Sequence, residues 1–464
     1  MMLRRMAVVL GFVLAFAFLV QAPVPAQTIK DAGDDTTLKQ IIIFGRHGVR
    51  APTMDFSKLP FSVSVDPYPP FPVPTGYLTP HGYQAELLLG AYFRDYLLQE
   101  GLLTGKPRTD AANSYFRANS IQRSNMTATA LWAALFPGKV PQVHSFDLGV
   151  PDAVFDPIAA EVVTVDTDRA VREVRGIFNN GHAVKTAYSG EYSVIRGALF
   201  DAPIGTRTPP DTVKPLLDPT TLPITLTANK QNVRTGSVID IGGLSLTNDA
   251  ADPFVMQYTA GLPLDQVAWG RLTLDQISQQ TRTVNLVFSI ELLTPYLNRL
   301  QSSNAASHVL RTMEQAVSGR YIGGSFGNAN SKAVVVISSD GYVAGLAGLL
   351  KVHWQLRGYQ PDFCAPGGAL VFELRQSNKT GEYLVRIFYT AQTFKQLRNL
   401  TPLTLDNPPA TMQLMVPGGS DSGTSLDVEF SAFRQLMQQA IGSEYVQDPS
   451  QEVLPPVLHG VPRK

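Results

Sequence analysis

A histidine flanked by two arginines is the strongest chemical feature of the sequence. Arg46, His47 and Arg50 lie in the run RHGVRAP, directly after a stretch that is rich in isoleucine. Positive charge beside an imidazole disfavours its protonated form, so we expect a neutral His47 with a nitrogen free to attack. Guanidinium groups bind phosphate oxygens through paired hydrogen bonds. This combination suits the transfer of a phosphoryl group to His47.

Two apolar runs are predicted to be buried strands that carry polar residues to one place. Leu38 to Phe44 (LKQIIIF) ends just before the arginine and histidine cluster, and Ala333 to Ile337 (AVVVI) ends just before Asp340. In an open α/β sheet the site lies at the carboxyl edge of the strands. We therefore expect His47 and Asp340 to lie together, although they are far apart in the sequence.

Helices are predicted on either side of these strands. Thr79 is placed to cap a helix over Gly82 to Gly101. Ser120 is placed to cap a second helix that runs to about Leu135. Arg123 would lie in the first turn of that helix, from where its guanidinium could reach the predicted site.

Length and composition indicate a globular protein of two domains. The chain has 464 residues, 44% of them hydrophobic, with 38 Lys+Arg against 38 Asp+Glu. This balance argues against a nucleic-acid-binding surface, which needs clustered basic residues. The composition changes over residues 151–280, which predicts an inserted substrate-specificity domain, largely helical, within a catalytic domain formed by residues 27–150 and 281–464. Beyond the insert, Thr283 to Leu300 and Val309 to Val317 look helical.

The amino-terminal residues 1–26 are predicted to be a secretory signal. Two arginines precede an apolar run from Met6 to Val20, and small residues follow it up to Ala26. That run is too short for a convincing membrane span, and no later stretch is long enough. We expect a periplasmic or secreted protein without a membrane partner after signal cleavage. The only cysteine, Cys364, allows no internal disulfide and is predicted to be buried and inert.

The RHGVRAP run, together with LTPHG at Leu78 to Gly82, resembles the histidine acid phosphatase family. The family pattern is R-H-G-x-R-x-P followed by L-T-P-x-G, and the chain looks most similar to the branch of bacterial phytases and glucose-1-phosphatases. The resemblance implies an α/β fold like that of phosphoglycerate mutase, a mostly parallel sheet flanked by helices, with the second domain inserted. It also implies an exported acid phosphatase that hydrolyses phosphomonoesters such as phytate through a phosphohistidine.

The resemblance also implies residue roles. His47 would be the nucleophile, and Asp340 would be the general acid that protonates the leaving oxygen. The other predicted site residues, all expected to bind substrate, are Arg46, Arg50, Thr53, Arg123, Ser339 and Asp252. The partner is then a small phosphate ester. No cofactor is expected, and no metal, because the sequence contains no H-E-x-x-H motif, carboxylate loop or Cys/His cluster.

The chain departs from the family pattern in one place. Relatives have His-Asp where this sequence reads Ser339-Asp340. A charged hydrogen bond contributes about 1.5–3 kcal/mol. If that bond acts in the transition state, its loss predicts a rate that is lower by about one to two orders of magnitude. Tyr342 and His81 are the nearest candidates to compensate. Two alternative functions stay open, a narrow glucose-1-phosphatase and a weak or silent binder of phosphate esters. The identity of the ester and the oligomeric state also stay open.

Overall fold

The structure is a computed structural model that describes residues 35–201, 214–229, 237–420 and 425–458. The predicted signal segment, residues 1–26, lies outside the described residues. Within the described part of the chain, no helix combines the length and the apolar character needed to cross a bilayer.

A nine-stranded sheet lies at the centre of the fold, in the order β10-β8-β7-β1-β6-β2-β3-β11 with β9 beside β8. A separate pair is formed by β4 and β5. The strands are β1 (Thr36–Arg46), β2 (Ser114–Ala118), β3 (Val143–His144), β4 (Thr227–Ala228), β5 (Ile239–Asp240), β6 (Ala333–Ser338), β7 (Ala369–Ser377), β8 (Tyr383–Ala391), β9 (Ala410–Gln413), β10 (Val428–Glu429) and β11 (Val457–Leu458).

The sheet is mixed rather than mostly parallel. Strands β1, β6, β2 and β3 run parallel to one another. Antiparallel strands extend this centre, with β7 beside β1 and β11 beside β3. The predicted α/β class, a central sheet flanked by helices, is confirmed. The predicted parallel pairing is limited to the centre of the sheet.

Helices cover both faces of the sheet and form most of the segment between β3 and β6. They are α1 (Pro80–Gln99), α2 (Pro107–Ala112), α3 (Gln122–Leu135), α4 (Thr167–Phe178), α5 (Gly181–Ala187), α6 (Ser189–Phe200), α7 (Gly243–Thr259), α8 (Leu274–Gln280), α9 (Arg282–Glu291), α10 (Pro295–Ser318), α11 (Asp340–Leu350), α12 (Phe394–Asn399) and α13 (Phe430–Ala440).

Two of the predicted helix ends are corrected by the structure. Ser120 does not cap α3, because Ile121 is the N-cap residue and the Ser120 hydroxyl donates instead to the carbonyl of Val150. The predicted helix over Thr283 to Leu300 is two helices, since α9 ends at Glu291 and α10 begins at Pro295. Proline has no N–H and favours the first turn of a helix, so it starts α10 rather than continuing α9. The predicted Thr79 cap of α1 is confirmed.

Alternate residues of β1 face opposite sides of the sheet. Ile42 and Phe44 belong to the larger core cluster, which packs the sheet against α10, α11 and α13. Ile41 and Ile43 belong to a second cluster with α1 and α3. Because both faces of β1 are covered from Ile41 to Phe44, successive positions there are apolar, which explains the isoleucine run. This burial fixes the strand ends, where the polar residues lie.

The predicted division into domains stays a prediction. Residues 151–280 contain α4 to α8 and the β4–β5 pair among those described. The first residues of this segment do not form a separate hydrophobic core, because Val154 and Phe155 pack in the same cluster as Phe44.

Candidate active site

Three neighbouring parallel strands end at the same edge of the sheet, and each is followed by predicted site residues. Arg46 at the end of β1 pairs in register with Ser338 at the end of β6. The backbone N–H of His47 donates to the Ser338 carbonyl at 2.9 Å. Strand β2 ends beside β6 at Ala118 and leads into α3, which carries Arg123. The sheet topology therefore gathers residues from distant parts of the sequence.

The two sequence motifs contact each other directly. The hydroxyl of Thr79 donates to the Val49 carbonyl at 3.1 Å and accepts from the N–H of Gly82 at 2.9 Å. A Cβ at Gly82 would lie 2.2 Å from the Val49 carbonyl oxygen. Only glycine permits this approach, so the first turn of α1 supports the loop that follows His47.

His47 is held as a neutral imidazole with a defined tautomer. It is 2% exposed, and its Nδ1 lies 2.9 Å from the Gly48 carbonyl oxygen. A carbonyl can only accept, so Nδ1 carries the proton and Nε2 keeps a free electron pair. Burial, followed by the charges of Arg123, Arg46 and Arg50, holds the pKa of His47 well below its usual value, against the opposing effect of the Gly48 carbonyl.

The three predicted arginines surround His47 and differ in their partners. Arg50 forms a two-point ion pair with Asp252, at 2.8 and 2.9 Å. Arg123 donates to the Gly76 carbonyl at 3.3 Å. Burial and then the charge of Arg50 lower the pKa of Arg123 to about 10, which leaves it a cation in neutral and acidic solution. Crowded, buried cations of this kind favour binding of an anion.

Asp340 lies at the site, as the strand argument predicts. It is the first residue of α11, and its carboxylate lies 2.9 Å from the guanidinium of Arg46. The same guanidinium donates to the carbonyl of Cys364, which fixes its orientation. Cys364 itself is buried, and burial raises the pKa of its thiol, in accord with the predicted inert role.

A cavity of about 160 Å³ opens onto these groups. Among its lining residues are five of the predicted site residues: Arg46, Arg50, Thr53, Asp252 and Asp340. A helical wall of this cavity is formed by α7, the end of α8 and α9, whose Val284, Val287 and Phe288 line the cavity. An ester bound here would have its phosphate towards the arginines and its leaving group towards the helices.

The remaining predictions have mixed outcomes. Ser339 is the half-buried N-cap residue of α11, next to Asp340, but its side chain makes no capping bond. The hydroxyl of Tyr342 donates to Asp156, and the Nε2 of His81 lies 2.8 Å from the Leu397 carbonyl. Both proposed compensating groups are thus engaged elsewhere.

Two carboxyl groups at the site are missed by the sequence argument. Asp249 lines the cavity one turn before Asp252 on α7. This spacing of three residues places them on the same helix face, and it is the signal that indicates Asp249 once Asp252 is chosen. Glu86 is fully buried on α1, and a Cβ at Gly48 would lie 2.5 Å from its Oε1. No sequence signal distinguishes Glu86 from a solvated residue of an amphipathic helix.

The described residues contain no group of three or more His, Cys, Asp or Glu side chains that could hold a metal ion. Two carboxylates of the site, Asp340 and Asp252, are instead paired with Arg46 and Arg50.

Comparisons with known proteins find similar sequences. Residues 37–172 match the family model of the histidine phosphatase superfamily (branch 2). Phytase AppA of Escherichia coli (strain K12) is 27% identical over 442 residues, which cover 93% of this chain and 98% of AppA. A glucose-1-phosphatase of Providencia rettgeri is 26% identical over 409 residues, 86% of this chain and 91% of that protein.

Solved structures show the same fold. The phytase from Citrobacter braakii superposes with a TM-score of 0.77 at 25% identity, over 89% of this chain and 99% of that structure. The Hafnia alvei phytase in complex with tartrate gives a TM-score of 0.76 at 26% identity, over 90% of this chain and all of that structure.

Proposed function

We propose that this chain, which carries a histidine phosphatase superfamily (branch 2) domain, hydrolyses phosphomonoesters through a phosphohistidine at His47. One observation carries the proposal: a buried, neutral imidazole lies among three guanidiniums, and two of these, Arg46 and Arg50, line the same cavity as Asp340. A neutral nucleophile next to cations suits a dianionic substrate, because the cations offset the charge that would otherwise repel attack.

In the first step, Nε2 of His47 attacks phosphorus and forms the N–P bond while the P–O bond to the leaving group breaks. Arg46, Arg50 and Arg123 bind the phosphoryl oxygens and stabilise the charge that develops on them. The protonated carboxyl of Asp340 gives its proton to the departing oxygen, so that an alcohol leaves.

In the second step, Asp340, now a carboxylate, takes a proton from water as the water oxygen attacks phosphorus. The N–P bond breaks, inorganic phosphate is released, and both His47 and Asp340 return to their starting states. Because the first step needs Asp340 protonated, the rate is expected to be highest in acidic solution.

The names of the relatives suggest two substrates for this chain, phytate and glucose 1-phosphate. The predicted signal segment supports an exported location, periplasmic or secreted. A second candidate function is binding of phosphate esters without turnover. Ser339 favours it, because a hydroxyl there donates one uncharged hydrogen bond where the family resemblance implies a charged one.

The test is hydrolysis of p-nitrophenyl phosphate near pH 5 by the purified chain and by His47→Ala. We expect turnover in the parent and a loss on the order of 10³-fold or more in the variant. His182→Ala is the matched control, because His182 is an exposed residue of α5 that does not line the cavity. A phosphorylated enzyme trapped on rapid quenching should be present in the parent and absent in His47→Ala.

Equal rates in the parent and His47→Ala would contradict the proposal. Calorimetric binding of inorganic phosphate without turnover of any ester would favour the silent binder instead.

A further inference from the structure

The helical wall of the cavity has an unusual charge for an anion site. Of the described residues that line the cavity, only Arg46 and Arg50 are basic, and both lie at the phosphate end. The helical wall offers the carboxylates of Asp249 and Asp252, the polar side chains of Asn248, Gln280 and Thr281, and an apolar surface. A ligand with negative charge at both ends would therefore contact basic side chains at one end only.

The two carboxylates of α7 have different partners. Asp252 is occupied by Arg50, which contacts both of its oxygens. Asp249 has neither a hydrogen bond nor an ion pair to any side chain of the described residues, although it is half-buried and lines the cavity. A partly desolvated acceptor without a partner is costly, and a donor on a ligand would remove that cost.

The backbone of α7 is interrupted one turn after this carboxylate. Pro253 lies inside the helix and has no N–H, so the usual helical bond to the Asp249 carbonyl cannot form. Gln280 and Thr281 line the same cavity and can add donors or acceptors to a polar leaving group.

We propose that Asp249 is a specificity-determining residue, which selects esters with a single phosphate and an O–H or N–H donor on the leaving group. The same carboxylate disfavours esters that carry further phosphates. This inference rests on the proposed function and names its substrate class. The donor can be the hydroxyl of a polyol or the ammonium of an aminoalkyl group, and the experiment distinguishes these two sources.

The discrimination should depend on pH through Asp249. Burial, followed by the charge of Asp252, raises the pKa of Asp249 to about 6, while Arg50 opposes the shift. Below that value the side chain is a neutral acid, and above it the side chain is a carboxylate that repels a second phosphate. The other charged groups near Asp249 are Asp252 on its own helix, Glu291 on α9, Arg46 and Arg50 around His47, and Asp340 on α11.

The experiment measures kcat/KM for four esters at pH 5 and pH 7, relative to p-nitrophenyl phosphate, which has no donor on its leaving group. The other three are myo-inositol hexakisphosphate, glucose 1-phosphate and O-phosphoethanolamine. The proteins are the parent, Asp249→Asn and Asp249→Ser. Asp265→Asn makes the same change of charge at an exposed residue that does not line the cavity.

For the hexakisphosphate, we expect the relative kcat/KM at pH 7 to be about tenfold higher in both Asp249 variants than in the parent. At pH 5 that difference should shrink to about twofold, because the parent side chain is then protonated. The donor-bearing esters should lose about tenfold at pH 7 in both variants. A larger loss for O-phosphoethanolamine identifies an ammonium, and a larger loss for glucose 1-phosphate identifies a hydroxyl. Asp265→Asn should match the parent throughout.

Unchanged ratios in both Asp249 variants, or a parent that prefers the hexakisphosphate at pH 7, would overturn the inference and leave the proposed function standing. Absence of turnover on p-nitrophenyl phosphate in the parent would instead remove the proposed function, and the specificity with it.

Discussion

The two ends of the cavity are built differently. At the phosphate end, Arg46 is the last residue of the central strand β1 and is 3% exposed. His47 follows it directly and is 2% exposed. At the leaving-group end, the lining comes from helices α7 and α9 and the end of α8, which lie outside the sheet. The first end is fixed by the backbone at strand termini, and the second by side chains on helix surfaces. Changes at the first should affect chemistry and stability, whereas changes at the second should affect which ester is used.

The largest effect is expected at Asp340, because the proposed mechanism gives this residue a role in the chemistry rather than in substrate choice. Asp340→Asn removes the proton donor, and we expect kcat to fall by about 10²–10⁴-fold for alkyl phosphates. The fall should be at least about tenfold smaller for p-nitrophenyl phosphate, whose leaving group departs without protonation. Steady-state kinetics on the two esters checks this difference.

Asp252→Asn is the matched control for that experiment. It also removes a carboxylate partner of a site arginine, in this case Arg50, but it removes no proton donor. It should lower the rates of both esters by a similar factor. An equal loss on both esters in Asp340→Asn would mean that Asp340 serves only to hold Arg46.

Burial at the phosphate end should also appear as a pH-dependent cost to stability at Glu86. Neither of its carboxyl oxygens has a hydrogen-bond partner within the described ranges, and burial raises its pKa from 4.5 to about 8. The folded state keeps a proton that the unfolded state releases between these values, so the free energy of unfolding falls as the pH rises through this window. Below about pH 4 the effect disappears.

Glu86→Gln is neutral at every pH and should escape this cost. We expect it to be more stable than the parent by roughly 3 kcal/mol at pH 7 and equally stable near pH 4, measured by urea unfolding. Glu382→Gln, an exposed residue between β7 and β8, should show no such change. Lower stability of Glu86→Gln at every pH would show that the carboxyl makes a contact the amide cannot replace.

The smallest effect is expected at Ser339, which lies next to the chemistry but does not line the cavity. Ser339→His should raise kcat by about 10–100-fold, because an imidazolium can donate the charged hydrogen bond that serine lacks. Ser339→Gln, which is large but uncharged, is the control. Turnover that is unchanged or lower in Ser339→His would show that the site is built around serine.

The elements next to the chemistry were the most predictable from the sequence. The isoleucine run of β1, the valine run of β6 and the Thr79 cap have strong local signals, and the structure has all three. The errors occur where tertiary contacts override such signals. Ser120 resembles a cap residue, but its hydroxyl donates to the Val150 carbonyl instead. The antiparallel strands at the flanks of the sheet produce no recognisable pattern in the sequence of β1.

The candidate site divides in the same way. Arg46, His47 and Arg50 are adjacent in one motif, so their chemistry can be inferred from spacing alone. Asp249 and Glu86 could not be ranked from the sequence, because their importance depends on having no partner in a buried environment. Burial and the absence of a partner are properties of the packed chain rather than of a residue or its neighbours in the sequence.

The sequence by itself determined the buried central strands, the proposed nucleophile with its flanking arginines, and the type of chemistry these suit. Such features depend on residue type and on the short periodicity of a strand. Only the tertiary structure decided the tautomer of His47, the pairing of Asp340 with Arg46 and the different states of Asp249 and Asp252. These depend on distances and desolvation, which arise when segments far apart in the sequence are packed into one cavity.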